Sequence, residues 1–115
     1  MDDGRILRGT TPEISIRPKA VGLDFSQITG VELTFRQGKI LLIKYTNDCT
    51  LDVETGVVKY HFLESETLAF DGSKNAPPVE VQLRFKIGEE IVGTGEGIIR
   101  FKDLLSNKAF NDNGE

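Results

Sequence analysis

The run Val79-Glu80-Val81-Gln82-Leu83-Arg84-Phe85-Lys86-Ile87 decides the fold class. Its apolar residues fall at every second position, and polar residues fill the gaps. Successive strand side chains point to opposite faces, so this spacing makes one apolar and one wet face. A helix would scatter the same residues around its axis. The run predicts a strand. Val31-Glu32-Leu33-Thr34-Phe35-Arg36-Gln37 alternates in the same way. Val58, Tyr60 and Phe62, interleaved with Lys59 and His61, give a third strand. Ile14 and Ile16 around Ser15 give a fourth, closed by Pro18, which has no N–H to offer a ladder.

Weaker signals fill in the rest. Ile40 to Tyr45 reads as a strand joined in a hairpin to the one before it, across Gln37-Gly38-Lys39. Cys49 to Asp52 reads as a short strand, followed by a turn at Glu54-Thr55-Gly56. Glu90-Ile91-Val92 and Ile98-Ile99-Arg100-Phe101 read as the last two strands, with Gly93-Thr94-Gly95-Glu96-Gly97 as the hairpin connection between them. Arg5 to Arg8 suits an edge. Helical signal is confined to single turns at Leu23 to Ile28, Leu63 to Phe70 and Phe101 to Leu105, the first capped by Asp24 or Ser26. The diproline Pro77-Pro78 leads in extended fashion into the long strand.

Seven to eight short strands with turns between them, and no long helix to make parallel crossovers, predict an all-β fold. The expected architecture is an antiparallel immunoglobulin-like β-sandwich with one or two short helical turns, although the cysteine pair and tryptophan of antibody domains are missing. Residues 1–105 are expected to form this single domain, and 106–115 a polar, frayed tail.

Composition narrows the function classes. The chain has 115 residues, which fits one domain. Such a chain buries roughly 65% of its unfolded surface, enough for one core. A hydrophobic share of 38% and 12 glycines argue against disorder. The longest apolar run, Ile40 to Ile43, falls far short of the roughly 18 residues of a membrane span. Met1 to Arg5 has neither the basic start nor the apolar stretch of a secretion signal. A lone Cys49 predicts a reducing compartment. With 18 acidic and 14 basic residues the formal charge is −4, against the basic surplus of a sequence-independent nucleic-acid binder.

Reactive chemistry is sparse. His61, the only histidine, falls on the polar face of its strand and reads as a solvated residue. Cys49 reads as a small buried filler rather than a nucleophile. One Cys and one His fall short of a zinc ligand set. Gly93 to Gly97 fails as a dinucleotide fingerprint, because Ile98 stands where the third glycine belongs. Glu64, Glu66, Asp71, Glu89 and Glu90 read as solvated charges. Arg36, Arg84, Lys86 and Lys59 could form a modest basic stripe, without the interleaved aromatics of a nucleic-acid platform. No catalytic, metal or cofactor site is expected.

Four segments carry a family likeness. Ile6-Leu7-Arg8-Gly9-Thr10-Thr11-Pro12-Glu13-Ile14 resembles the opening of small tail-module proteins of tailed phages and prophages. Leu33-Thr34-Phe35-Arg36-Gln37 is similar to their Thr-Phe-x-Gln strand end. Leu63 to Phe70 resembles their Leu-Thr-Gln-Glu-Glu-Thr-Leu-x-Phe segment, departing at Glu64-Ser65. Val79 to Arg84 resembles their Val-x-Val-Gln-Leu-Arg strand. These proteins are similar to the N-terminal immunoglobulin-like domain of upper baseplate proteins. The resemblance implies a non-catalytic virion protein of the tail or baseplate, made in the bacterial cytoplasm. Its partners would be other tail or baseplate proteins, self-association included, with no nucleic acid and no membrane. Arg8, Gly9, Thr10 and Thr11, beside an edge, are the expected partner contact. The alternative is a carbohydrate-binding sandwich, with Tyr45 and Tyr60 as its only tyrosines for stacking on sugar.

Overall fold

A computed structural model describes residues 4–19, 22–106 and 108–111. The strands are β1 (Ile6–Leu7), β2 (Glu13–Ile16), β3 (Ile28–Gln37), β4 (Ile40–Tyr45), β5 (Thr50–Leu51), β6 (Val58–His61), β7 (Val79–Ile87), β8 (Glu90–Ile99) and β9 (Phe101–Lys102). A short helix, α1 (Glu64–Ala69), lies between β6 and β7. Single 3-10 turns occupy Phe25–Gln27 and Thr46–Asp48. The strand count passes the expected seven or eight because two-residue pieces at β1, β5 and β9 register as strands.

The fold is an all-β sandwich. One sheet runs β2-β6-β5 and the other β4-β3-β7-β8. This is the immunoglobulin-like order, β2, β6 and β5 taking the places of strands B, E and D, and β4, β3, β7 and β8 those of C′, C, F and G. Every pair in these two sheets is antiparallel. The exception lies at the end of the sandwich, where β1 runs parallel to β9.

The period-two pattern sets which face is buried. Val31, Leu33 and Phe35 of β3 and Val79, Val81, Leu83 and Phe85 of β7 are at most 5% exposed. They meet Val58 and Tyr60 of β6, and the rings of Phe62, Phe70 and Phe101. Phe62 lies 5.0 Å from Phe35 and 5.2 Å from Tyr60, centroid to centroid, and Phe70 stacks on Phe101 at 5.1 Å. Buried aromatics at such distances add to the transfer of their area out of water. Gln37 ends the inward face of β3. Its Nε2 donates to the carbonyls of Asp71 (2.8 Å) and Pro77 (2.9 Å), and its Oε1 accepts from the Asp71 N–H (2.6 Å). That amide ties the loop before β7 to the end of β3.

Two hairpins follow the glycines. Gly38 (φ +59°) turns β3 into β4, and Gly88 (φ +63°) turns β7 into β8. Positive φ is the region such tight turns require and glycine enters freely. Asp24 caps the first 3-10 turn, its Oδ1 accepting from the Ser26 N–H at 3.0 Å.

Two expectations are corrected. Gly93 to Gly97 is not a hairpin connection: β8 runs from Glu90 to Ile99 along the whole of β7. Gly93 and Gly97 hold no left-handed φ. Glycine permits a turn without demanding one, and the long alternating β7 is satisfied by a partner of its own length. The register between them shifts once, at a bulge. Leu83 pairs with Gly95 and Arg84 with Gly93, leaving Thr94 inserted. The second correction is at Phe101 to Leu105, where the helical turn is replaced by β9. The buried Phe101 is drawn between Phe62 and Phe70, and the extended chain is fixed to β1. The Ile6 N–H reaches the Arg100 carbonyl at 2.8 Å, and the Arg8 N–H reaches that of Lys102 at 3.0 Å. In the polar tail the Phe110 N–H donates to Glu64 Oε2 at 2.6 Å; residues 107 and 112–115 lie outside the described set.

Candidate interaction surface

Arg8, Gly9, Thr10 and Thr11 sit between β1 and β2, against α1 and the chain after β9. The Arg8 guanidinium donates to the Leu68 carbonyl (2.6 Å) and to Asp103 Oδ1 (3.0 Å). Thr67 Oγ1, fully buried on α1, accepts from the Gly9 N–H (3.0 Å) and donates to the Thr10 carbonyl (2.8 Å). Thr10 Oγ1 donates back to the Leu7 carbonyl (2.6 Å). Gly9 has φ +76°, and a Cβ there would stand 2.9 Å from Leu104 Cδ2. The segment therefore fastens the start of the chain to the β6–β7 connection. Its polar groups are turned largely toward the protein itself, with Thr11 exposed.

One acidic residue corrects the sequence reading. Glu66 is 9% exposed rather than solvated. Lys44 Nζ lies 2.6 Å from its Oε2, the Leu63 N–H donates to Oε1 at 2.8 Å, and the Tyr60 hydroxyl donates to the same oxygen. Lys44 also stands over the Tyr60 ring, 5.6 Å from its centroid. Burial pushes the Glu66 carboxyl up, but the bonds from Leu63, Lys44 and Tyr60 together outweigh it and hold it below the usual carboxylate range. Tyr60 is driven up by burial first and by its bond to the Glu66 carboxylate second. The trio is a paired buried charge with satisfied partners, which suits a core polar network.

The remaining candidates are apart from one another. Half-buried Cys49 has its thiol pushed up to about 11, by burial first and Asp48 second, so it stays protonated and a poor nucleophile. His61 is exposed on β6, as its alternation implied. Among the described residues no three His, Cys, Asp or Glu come together as a metal group. Asp71, Glu89 and Glu90 are exposed, and Glu64 is half-buried, its carboxylate accepting from the Phe110 N–H. The basic stripe does not assemble. Arg36 pairs with Glu80 at 3.2 Å and Arg84 with Glu32 at 2.6 Å, while Lys59 lies on the other sheet.

An exposed relief lies on the outer face of the β4-β3-β7-β8 sheet; exposed Val53, Leu63, Leu105 and Phe110 stand apart from it. Register puts Glu32, Thr34 and Arg36 of β3 beside Arg84, Gln82 and Glu80 of β7. These paired charges fill the centre. The flanking strands carry apolar side chains outward: Leu41 and Tyr45 on β4, Ile91 and Ile98 on β8, each 56–59% exposed. An open hollow of about 630 Å³ lies between Leu41, Arg36, Glu80 and Ile98, and a smaller one of about 210 Å³ between Tyr45, Glu32, Arg84 and Ile91. Sequence reasoning missed this surface, because the outward phase of β4 is hidden inside the continuous apolar run Ile40 to Ile43. Pairing Leu41 with Arg36 and Tyr45 with Glu32 makes that phase visible.

Among the described residues no helix is long and apolar enough to cross a membrane. In comparisons with known proteins, no family model matches the chain, and neither a curated protein nor a solved structure matches it.

Proposed function

We propose that this chain is a non-catalytic structural module of a phage or prophage tail or baseplate, acting through protein–protein contacts. The observation that carries the reading is the outer sheet face, where apolar side chains of both edge strands stand exposed around a centre of neutralised charges. Exposed apolar groups rimming paired polar ones suit a contact patch. The resemblance of Ile6 to Ile14, Leu33 to Gln37, Leu63 to Phe70 and Val79 to Arg84 to tail-module proteins supplies the setting. The protonated Cys49 and the dispersed titratable groups favour a passive role over catalysis. Partners are then other tail or baseplate proteins, and the place of action is the virion tail.

Gradient centrifugation of tailed particles from the producing cells tests this. The chain is expected to co-sediment with the particles, and a Leu41→Glu, Ile98→Glu variant to be lost from them. A chain found only among unassembled proteins would contradict the proposal. A second reading, glycan binding, draws on the exposed Tyr45 ring beside the smaller hollow; Tyr60, by contrast, is buried. On a glycan array it requires a signal that disappears in Tyr45→Ala.

A further inference from the structure

We infer that β8 is a self-pairing edge: two copies of this chain join their β8 strands antiparallel about a two-fold axis. Ile91 of each copy then stands opposite Ile98 of the other, and Glu96 opposite Gly93. This rests on the reading of the outer face and its edges as contact surface, and it names the partner.

Three observations lead there. First, β8 ends the four-stranded sheet, and among the described residues no strand pairs with its other side. A strand edge exposes a row of backbone donors and acceptors. Natural edges are blunted by shortness, by charged side chains, above all lysine, by proline or by a bulge; β8 carries two glutamates and one bulge, and one antiparallel register accommodates both. β8 spans Glu90 to Ile99, longer than the usual five or six residues, and contains neither lysine nor proline.

Second, the bulge selects the register. Pairing with β7 puts Ile91 and Gly93 on the outer face before Thr94, and Glu96 and Ile98 on the same face after it. Val92 and Gly97 both face inward. In a two-fold antiparallel pair, opposed residues must share a face. A regular strand meets this only when the opposed residues are both odd or both even in number. Across the Thr94 insertion the parity reverses, so an odd residue must oppose an even one. The centred choice of that kind sets 91 against 98, 92 against 97 and 93 against 96. A shift of two residues one way sets Ile91 against Glu96, and the other way sets Ile98 against Gly93.

Third, the charges agree. In the centred register no two glutamates are opposed, because Glu96 meets a glycine and Glu90 meets Ile99. The Ile91–Ile98 contact, made twice, covers two exposed isoleucines of each copy. The other edge of the same sheet, β4, is shorter and runs at once into the 3-10 turn Thr46–Asp48, and the edges of the second sheet, β2 and β5, have four and two residues. The pairing engages one strand edge of each copy, so association depends on concentration. Each copy carries a formal charge of −4, so salt tightens it by screening.

Sedimentation equilibrium of the full chain over a concentration series tests the inference. A Cβ at Gly93 meets no atom within 4 Å, so the position accepts side chains without refolding. Gly93→Glu opposes Glu96 twice and is expected to weaken the dimer about ten-fold, whereas Gly93→Lys tightens it by a similar factor. Within one copy residue 93 neighbours Arg84, so charge effects on monomer stability run the opposite way and cannot imitate this result. A wild type that stays monomeric, a dimer indifferent to both substitutions, or open-ended oligomers would each overturn the inference. A monomer that still co-sediments with tail particles would refute self-pairing and leave the assembly role standing.

Discussion

Thr67 joins the two ends of the architecture through one hydroxyl. It satisfies the Gly9 N–H and the Thr10 carbonyl from a fully buried position. Thr67→Val keeps the shape and leaves both groups without that partner. It is expected to cost about 1–3 kcal/mol in urea unfolding, since an unsatisfied buried polar group bears its desolvation cost. Glu66 provides a pH test. Its folded pKa lies below the ordinary 4.5, so its stabilising effect is complete above that value and is lost as pH falls through the folded pKa. The urea midpoint should drop on acidification below pH ~4.5, and Glu66→Gln should flatten that drop. A midpoint with the same acid dependence in both proteins would contradict the pairing. Glu66 could not be read as buried from its neighbours, because its burial depends on Lys44 and Tyr60 from two strands outside its own helix. The clue in the sequence is phase. Lys44 lies an even step from Ile40 and Leu42, on the inward side of β4, and an inward lysine needs an acid.

At the level of elements, the strands that alternate cleanly were legible: β3, β6 and β7 stand where their apolar residues repeat at every second position. The Gly38 turn was legible too. β8 was not, because glycine carries no face and its sequence therefore shows no phase. Only the pairing with β7 reveals that Glu90 to Ile99 is one strand. The difference has an energetic signature. Gly97 faces inward opposite Val81, and a Cβ added there would meet no atom within 4 Å. Gly97→Thr is expected to raise stability by roughly 0.5–1 kcal/mol, since glycine inside a strand is unfavourable. Gly88→Ala, forced into positive φ, is expected to lower it by roughly 1–2 kcal/mol. Chemical denaturation of the two variants separates strand glycine from turn glycine. Destabilisation by Gly97→Thr as large as that by Gly88→Ala would restore the hairpin reading. The segments resembling tail-module proteins also meet in space: Arg8 and Gly9 bond to α1, and Gln37 holds Asp71 just beyond it. They are residues the fold itself consumes, so they speak to packing rather than to a binding surface.

For the whole molecule, the proposed role rests on its surfaces. The sandwich was legible because both sheets bury one face, but the proposed contact surface arises only when the register sets Leu41, Tyr45, Ile91 and Ile98 on one outer face. The expected contact at Arg8 to Thr11 and the inferred contact at β8 lie on different parts of the molecule and make different demands on the backbone. The first already spends its Arg8 and Gly9 N–H groups inside the protein. The second offers the free side of a sheet. Amide hydrogen exchange, followed residue by residue in dilute protein and at concentrations where it associates, discriminates between them. Slowing confined to Glu90–Ile99, with Arg8 to Thr11 unchanged, is the predicted result. Slowing at Arg8 to Thr11 or along β4 with β8 unaltered would contradict the central claim.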